Sequence, residues 1–150
     1  MKLHKIGLIN WANLPIGEYE FDPRLNLITG HSAAGKTSIV DAVQTVMTAA
    51  KRGLFQYNPG QDETKQHSQK KETRSLASYV LGCDDGRYAR PDGAFCHLVA
   101  VFRPDAPGER TEVLTAIVSV SARLEKSGAK MAAKEDVQSF ALVKGEALSC

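Results

Sequence analysis

Apolar positions in the first thirty residues come in short runs broken by turn signals. Leu3 to Trp11 is apolar-rich and breaks at Asn13-Leu14-Pro15. Ile16 to Phe21 alternates around Glu18, Tyr19 and Glu20 and stops at Asp22-Pro23, and Leu25 to Thr29 is an apolar run ending at Gly30. The spacing predicts three strands, the third of them buried. From Lys36 the period changes. Ile39, Val40, Val43, Val46, Met47 and Ala50 fall on one face of a helix, with Lys51 and Arg52 in its last turn and Gly53 behind them. Its β-branched residues are poor helix formers, so burial must stabilise it. Leu76, Tyr79, Val80 and Cys83 recur at helical spacing, with Gly82 as the stop. Phe95 to Phe102, Val113 to Val120 and Val137 to Val143 read as strands, the first two joined by the turn-rich Arg103 to Gly108. Ala122 to Asp136 is polar and reads as a loop or a short helix around Met131. This order predicts a mixed α/β domain rather than a doubly wound one.

Composition narrows the class. At 150 residues the chain fits one domain, and 43% hydrophobic with 24% charged residues excludes wholesale disorder and coiled-coil rods. No apolar run approaches the roughly 20 residues that span a bilayer. The stretch after Met1-Lys2-Leu3-His4-Lys5-Ile6 meets Asn10 and Asn13 too soon for a secretory signal. Cys83, Cys96 and Cys150 are odd in number, and His4, His31, His67 and His97 are scattered, so free thiols are expected rather than a zinc site. A cytoplasmic protein without membrane contact is the expectation. The net charge of +2 argues for no partner by itself, but residues 51–74 hold six basic residues against three acidic ones. That stretch reads as a long solvated loop.

One motif carries chemistry. Gly30-His31-Ser32-Ala33-Ala34-Gly35-Lys36-Thr37 satisfies every fixed position of the phosphate-binding pattern G-x-x-x-x-G-K-[ST] (Walker A), between a strand and a helix. The glycines allow backbone angles and close approach that a Cβ would block. Backbone N–H groups at the helix start face the phosphates, Lys36 supplies a cation, and the Thr37 hydroxyl can ligate Mg²⁺. The candidate nucleotide-binding set is Gly30, His31, Ser32, Ala33, Ala34, Gly35, Lys36, Thr37 and Ser38, with Lys36 as the catalytic candidate and Thr37 as the metal ligand. ATP with Mg²⁺ is the expected ligand pair. An Asn-Lys-x-Asp motif is absent, which argues against a small GTPase. No apolar run ends in the acid of a Walker B strand; Tyr79 to Asp85 is interrupted by Gly82, and Leu98 to Phe102 ends in Arg103.

Leu8 to Asn13, Tyr19 to Asp22, Leu25 to Met47 (with Asp41-Ala42-Val43-Gln44 after the loop) and Thr73 to Gly82 together resemble the N-terminus of SMC-like ATPases. The likeness is to the MukB/MksB branch, especially the JetC-type subunit of Wadjet plasmid-defence systems. It implies a P-loop NTPase fold: the N-terminal lobe of an ABC/SMC-type ATPase head with a mixed β-sheet, spanning residues 1–150. In that family the C-terminal half of the same chain completes the head with the signature motif and Walker B. Two heads then sandwich ATP, and kleisin and accessory subunits couple hydrolysis to DNA loop movement. The resemblance therefore implies a chain that is inactive as an ATPase by itself. Ser32 and Ala33 stand where many of these loops have Asn and Gly, and Gln44 is not the family's metal-contacting Gln.

Other readings compete. A self-contained P-loop kinase would need Asp84 or Asp85 as metal ligand, and a non-catalytic module would use the basic loop for DNA. The resemblance puts Trp11 near a nucleotide base and Arg74 at a DNA-contacting position, where Lys65, Lys70 and Lys71 would add phosphate contacts. Against these stand a structural Trp and a solvated loop; His31 is expected to contribute only its backbone.

Overall fold

The computed structural model describes residues 1–57, 74–84, 87–104, 112–127 and 130–145. Two strands come first, β1 (Lys2–Ile9) and β2 (Gly17–Glu20), followed by two helices, α1 (Lys36–Met47) and α2 (Leu76–Leu81). A small ladder of β3 (Cys83–Asp84) and β4 (Arg87–Tyr88) leads into three long strands, β5 (Ala94–Arg103), β6 (Leu114–Ser127) and β7 (Lys130–Lys144). The main sheet has the order β2-β1-β5-β6-β7. A mixed sheet is implied by the resemblance; every pairing among the described residues is antiparallel.

Period-two alternation explains why these strands hold together. Ile6 lies opposite Ala100 and Leu8 opposite Leu98, while Leu98, Ala100 and Cys96 lie opposite Val118, Ala116 and Val120. All of these are buried and form one face of the core. The helices supply Ala42, Val46, Leu76, Ala77, Val80 and Leu81 to the same cluster. Six residues suffice for α2 because both ends are closed. Ser75 and Ser78 form a reciprocal capping box, and Gly82 ends the helix in the left-handed conformation.

Four expectations need correction. Leu25 to Thr29 forms no strand; Leu25 and Leu27 are 80% and 85% exposed. Apolar runs report a need for burial, and nothing among the described residues covers this one. Second, the buried face of α1 consists of Asp41, Ala42, Thr45 and Val46, while Val40 and Met47 point outward. The core accepts the polar pair because tyrosines bond it. Third, α1 stops at Met47, since Ala49 and Ala50 turn to φ 51° and 52°. Gln138 of β7 donates to the Ala50 carbonyl at 2.7 Å, which places Lys51 and Arg52 beyond the helix. Fourth, residues 122–127 and 130–136 lie in the paired strands β6 and β7 rather than in a loop or helix. Leu124 and Ala133 are partly buried against the core, while Arg123 and Lys134 bond Glu125, and Arg123 also pairs with Asp136.

Candidate functional site

After β2 the chain runs without helix or strand to Gly30, then turns tightly into α1. The turn is closed by the Ala34 N–H donating to the His31 carbonyl at 3.2 Å. Gly35 caps α1 at φ 84°, and a Cβ built there would lie 2.4 Å from Leu14 Cδ2. Glycine is thus favoured by the backbone angle, and a Cβ here would also make the Leu14 side chain, from the turn after β1, shift aside. Ala33 adopts φ 62°, a left-handed angle that costs a residue with a Cβ about 1–2 kcal/mol. The departure from glycine noted in the sequence therefore leaves local strain at the tip of the loop.

The first helical bond across this junction joins the Ile39 N–H to the Gly35 carbonyl at 3.1 Å. The amides of Lys36, Thr37 and Ser38 precede it and have no place in the intrahelical ladder. No side chain caps this end, and no acidic residue lies in the first turn. Uncapped amides at the positive end of a helix favour an anion. His31, Ser32, Ala33 and Ala34 are exposed beside them. Lys36 arches back over the loop, its Nζ donating to the carbonyls of Gly30 at 2.8 Å and His31 at 2.6 Å. The site thus carries both a cation and a row of donors. A polyphosphate fits this donor set, and the Thr37 hydroxyl is the candidate for the accompanying Mg²⁺. When bound, that ion would offset charge on the phosphates. Among the described residues no group of three or more His, Cys, Asp or Glu is placed to hold a metal.

Behind the loop lies a network that sequence reading missed. Trp11 is completely buried, stacked on Tyr79 at 4.5 Å with an interplanar angle of 4°, and its Nε1 donates to the Ser38 carbonyl at 2.7 Å. It is a core residue and presents no face to a base, which favours the structural reading of Trp11 over the adenine contact. Tyr79 donates its hydroxyl to Asp41 Oδ2. Thr45 donates to the Asp41 carbonyl at 2.6 Å and shares a 2.8 Å bond with the Tyr57 hydroxyl. Tyr57 falls in the stretch read as solvated yet is buried; its signal was the nearby Phe55, whose ring lies 4.8 Å from it. Arg74 turns inward, donating to the Tyr79 hydroxyl at 3.2 Å with its guanidinium 5.9 Å from that ring. Lys65, Lys70, Lys71, Asp85 and Cys150, together with the Asp84 side chain, lie outside the described residues. Cys83 and Cys96 form no disulfide among the described residues. Burial pushes the Cys96 thiol up to about 12, so it is held neutral.

Burial raises the Asp41 carboxyl above its ordinary value, against the opposing effects of the Tyr79 bond and the Arg74 charge. A folded value above the unfolded one means that the unfolded chain loses this proton first. Asp41's contribution to stability is then fully present below about pH 3.9 and is lost as pH rises through the folded value. In urea titrations, Asp41→Asn is expected to gain on the parent protein as pH rises from about 4 to 7. A pH-independent difference between the two would contradict burial as the cause.

Comparison with known proteins agrees with this geometry. Residues 3–63 match the family described as the P-loop containing region of AAA domain. Over 52 residues the chain is 40% identical to the DNA double-strand break repair Rad50 ATPase of Thermoplasma acidophilum, covering 35% of this chain and 6% of that protein. Over 43 residues it is 42% identical to the DNA replication and repair protein RecF of Phocaeicola vulgatus, covering 29% of this chain and 12% of that protein. The comparisons support a P-loop region of the SMC/Rad50-like ATPase family. The matches span no more than 12% of the length of these two relatives. The P-loop NTPase reading of the fold is supported, with few helices against an antiparallel sheet. No helix among the described residues is long and apolar enough to cross a membrane.

Proposed function

We propose that residues 1–150 form the N-terminal, ATP-binding lobe of an SMC-like ATPase head, with Gly30 to Ser38 holding the phosphates. The observation that carries this reading is the uncapped start of α1, where the 36–38 amides and Lys36 converge on one exposed turn. In this reading the amides orient the phosphates, Lys36 exchanges the Gly30 and His31 carbonyls for phosphate oxygens, and Thr37 holds the Mg²⁺. Leu25, Leu27 and Ile28, with Val40 and Met47 on the outer side of α1, form apolar surface left for another lobe. The C-terminal half of the same head is the partner that would cover it and supply the remaining catalytic groups. A second head, kleisin and accessory subunits, and DNA follow from the same assignment. The finer placement, with JetC-type subunits of the MukB/MksB branch acting by DNA loop extrusion in plasmid defence, is supported by the segments flanking the loop, Leu8 to Asn13 and Thr73 to Gly82.

The test is calorimetric titration with a non-hydrolysable ATP analogue and Mg²⁺, alongside an assay for phosphate release from ATP. Saturable binding with negligible turnover is expected from this chain alone. Absence of saturable binding would remove the nucleotide reading, and substantial steady-state turnover would remove the need for a completing half.

A further inference from the structure

Three points along α1 are bonded to one stack of rings. Trp11 Nε1 reaches the Ser38 carbonyl, the Tyr79 hydroxyl reaches Asp41, and the Tyr57 hydroxyl bonds Thr45 Oγ1. Residues 38, 41 and 45 fall within about 60° of one another around the helix, so all three bonds leave the same side. The rings brace one another: Tyr57 meets Tyr79 edge-on at 4.9 Å and Trp11 at 6.3 Å, while Trp11 and Tyr79 stack. Asp41 and Thr45 are 1% and 0% exposed.

Apolar contact alone would hold α1 against this slab without fixing its rotation, because the hydrophobic effect is non-directional. Hydrogen bonds are directional, and a buried carboxylate or hydroxyl is costly unless bonded. A single rotation and axial position of α1 therefore satisfies all three pairs together. Stability alone does not call for them, since apolar pairs of similar shape serve a core about as well. The first bonded residue, Ser38, follows directly on Lys36 and Thr37. We infer that Trp11, Tyr57 and Tyr79 are positioning residues for the P-loop: their polar tips set the rotation of α1 and so aim the 36–38 amides at the phosphates. This rests on the nucleotide reading of the loop.

The test measures affinity for a non-hydrolysable ATP analogue with Mg²⁺ in the full chain, at a temperature where each variant is folded. Tyr79→Phe should weaken binding about tenfold and speed hydrogen exchange of the first bonded amides of α1, from Ile39 onward. Asp41→Asn keeps an acceptor oxygen for the Tyr79 hydroxyl and should stay within about twofold of the parent. Should Tyr79→Phe fail to fold, Thr45→Val carries the same expectation through the Tyr57 bond. A lowered melting temperature with unchanged affinity and exchange would make the slab merely structural and overturn the inference. If Lys36→Ala loses binding in that same series, the nucleotide reading survives that result. A parent chain that binds no analogue overturns both.

Discussion

Lys36→Ala is expected to weaken binding of Mg²⁺–ATP analogue by about a hundredfold or more, which in a calorimeter reads as loss of binding. The row of amides at the start of α1 offers partial charges only, equivalent to about half a unit for the whole helix end. Lys36 adds a full charge on a flexible stem, and its Nζ already sits within bonding distance of the loop, on the Gly30 and His31 carbonyls. Two charge-assisted bonds to phosphate, at about 1.5–3 kcal/mol each, would account for the loss. The same truncation removes the two carbonyl contacts in the free protein, but these are exposed bonds at the surface. Melting temperature should therefore change little, which separates a lost ligand contact from a damaged fold. Unchanged affinity in a folded Lys36→Ala protein would contradict the assignment of the loop.

The loop was legible in the sequence because its demands fall on residue types at fixed spacing. Glycine is the residue that takes the φ of 84° at position 35 without strain. The strands around Leu8, Leu98 and Val118 were legible for a similar reason, since alternation marks one buried face. What failed was knowing against what a residue packs. Leu25 to Thr29 has the composition of a buried strand and is exposed, and the apolar stripe of α1 through Val40 and Met47 points away from the core. Val46 of the same stripe is buried, so the error on α1 is confined to Val40 and Met47. Both errors share a cause: an apolar pattern reports that a surface needs cover, not that this segment of chain supplies it. The opposite error hid Asp41, Thr45 and Tyr57. Their burial depends on pairwise bonds between positions far apart in sequence, and no local period encodes such pairs. The hairpin beyond Ala122 was concealed because its outward positions are charged, although Leu124 and Ala133 keep the alternation.

Gly82→Ala is expected to destabilise the fold by about 3 kcal/mol, a large share of a typical 5–15 kcal/mol. Gly82 ends α2 at φ 65°, and that angle alone costs a residue with a Cβ about 1–2 kcal/mol. The added Cβ would also lie 2.6 Å from Asn13 Oδ1, 2.8 Å from Arg90 Nη2 and 3.1 Å from the Ala12 carbonyl oxygen. Arg90 is the strut of this corner: it donates to the Val80 carbonyl at 2.8 Å and to that of Ala12 at 2.6 Å, tying α2 to the turn after β1. Moving it aside forfeits a charge-assisted bond worth about 1.5–3 kcal/mol. Gly53→Ala supplies the control, because φ there is 88° while nothing lies within 4 Å of an added Cβ. It should show the backbone cost alone, about 1–2 kcal/mol. Urea midpoints of the two variants, taken with equal slopes, measure the difference directly. Equal destabilisation would mean that the corner yields to the methyl group, and that Arg90 does not hold the turn bearing Trp11 against α2.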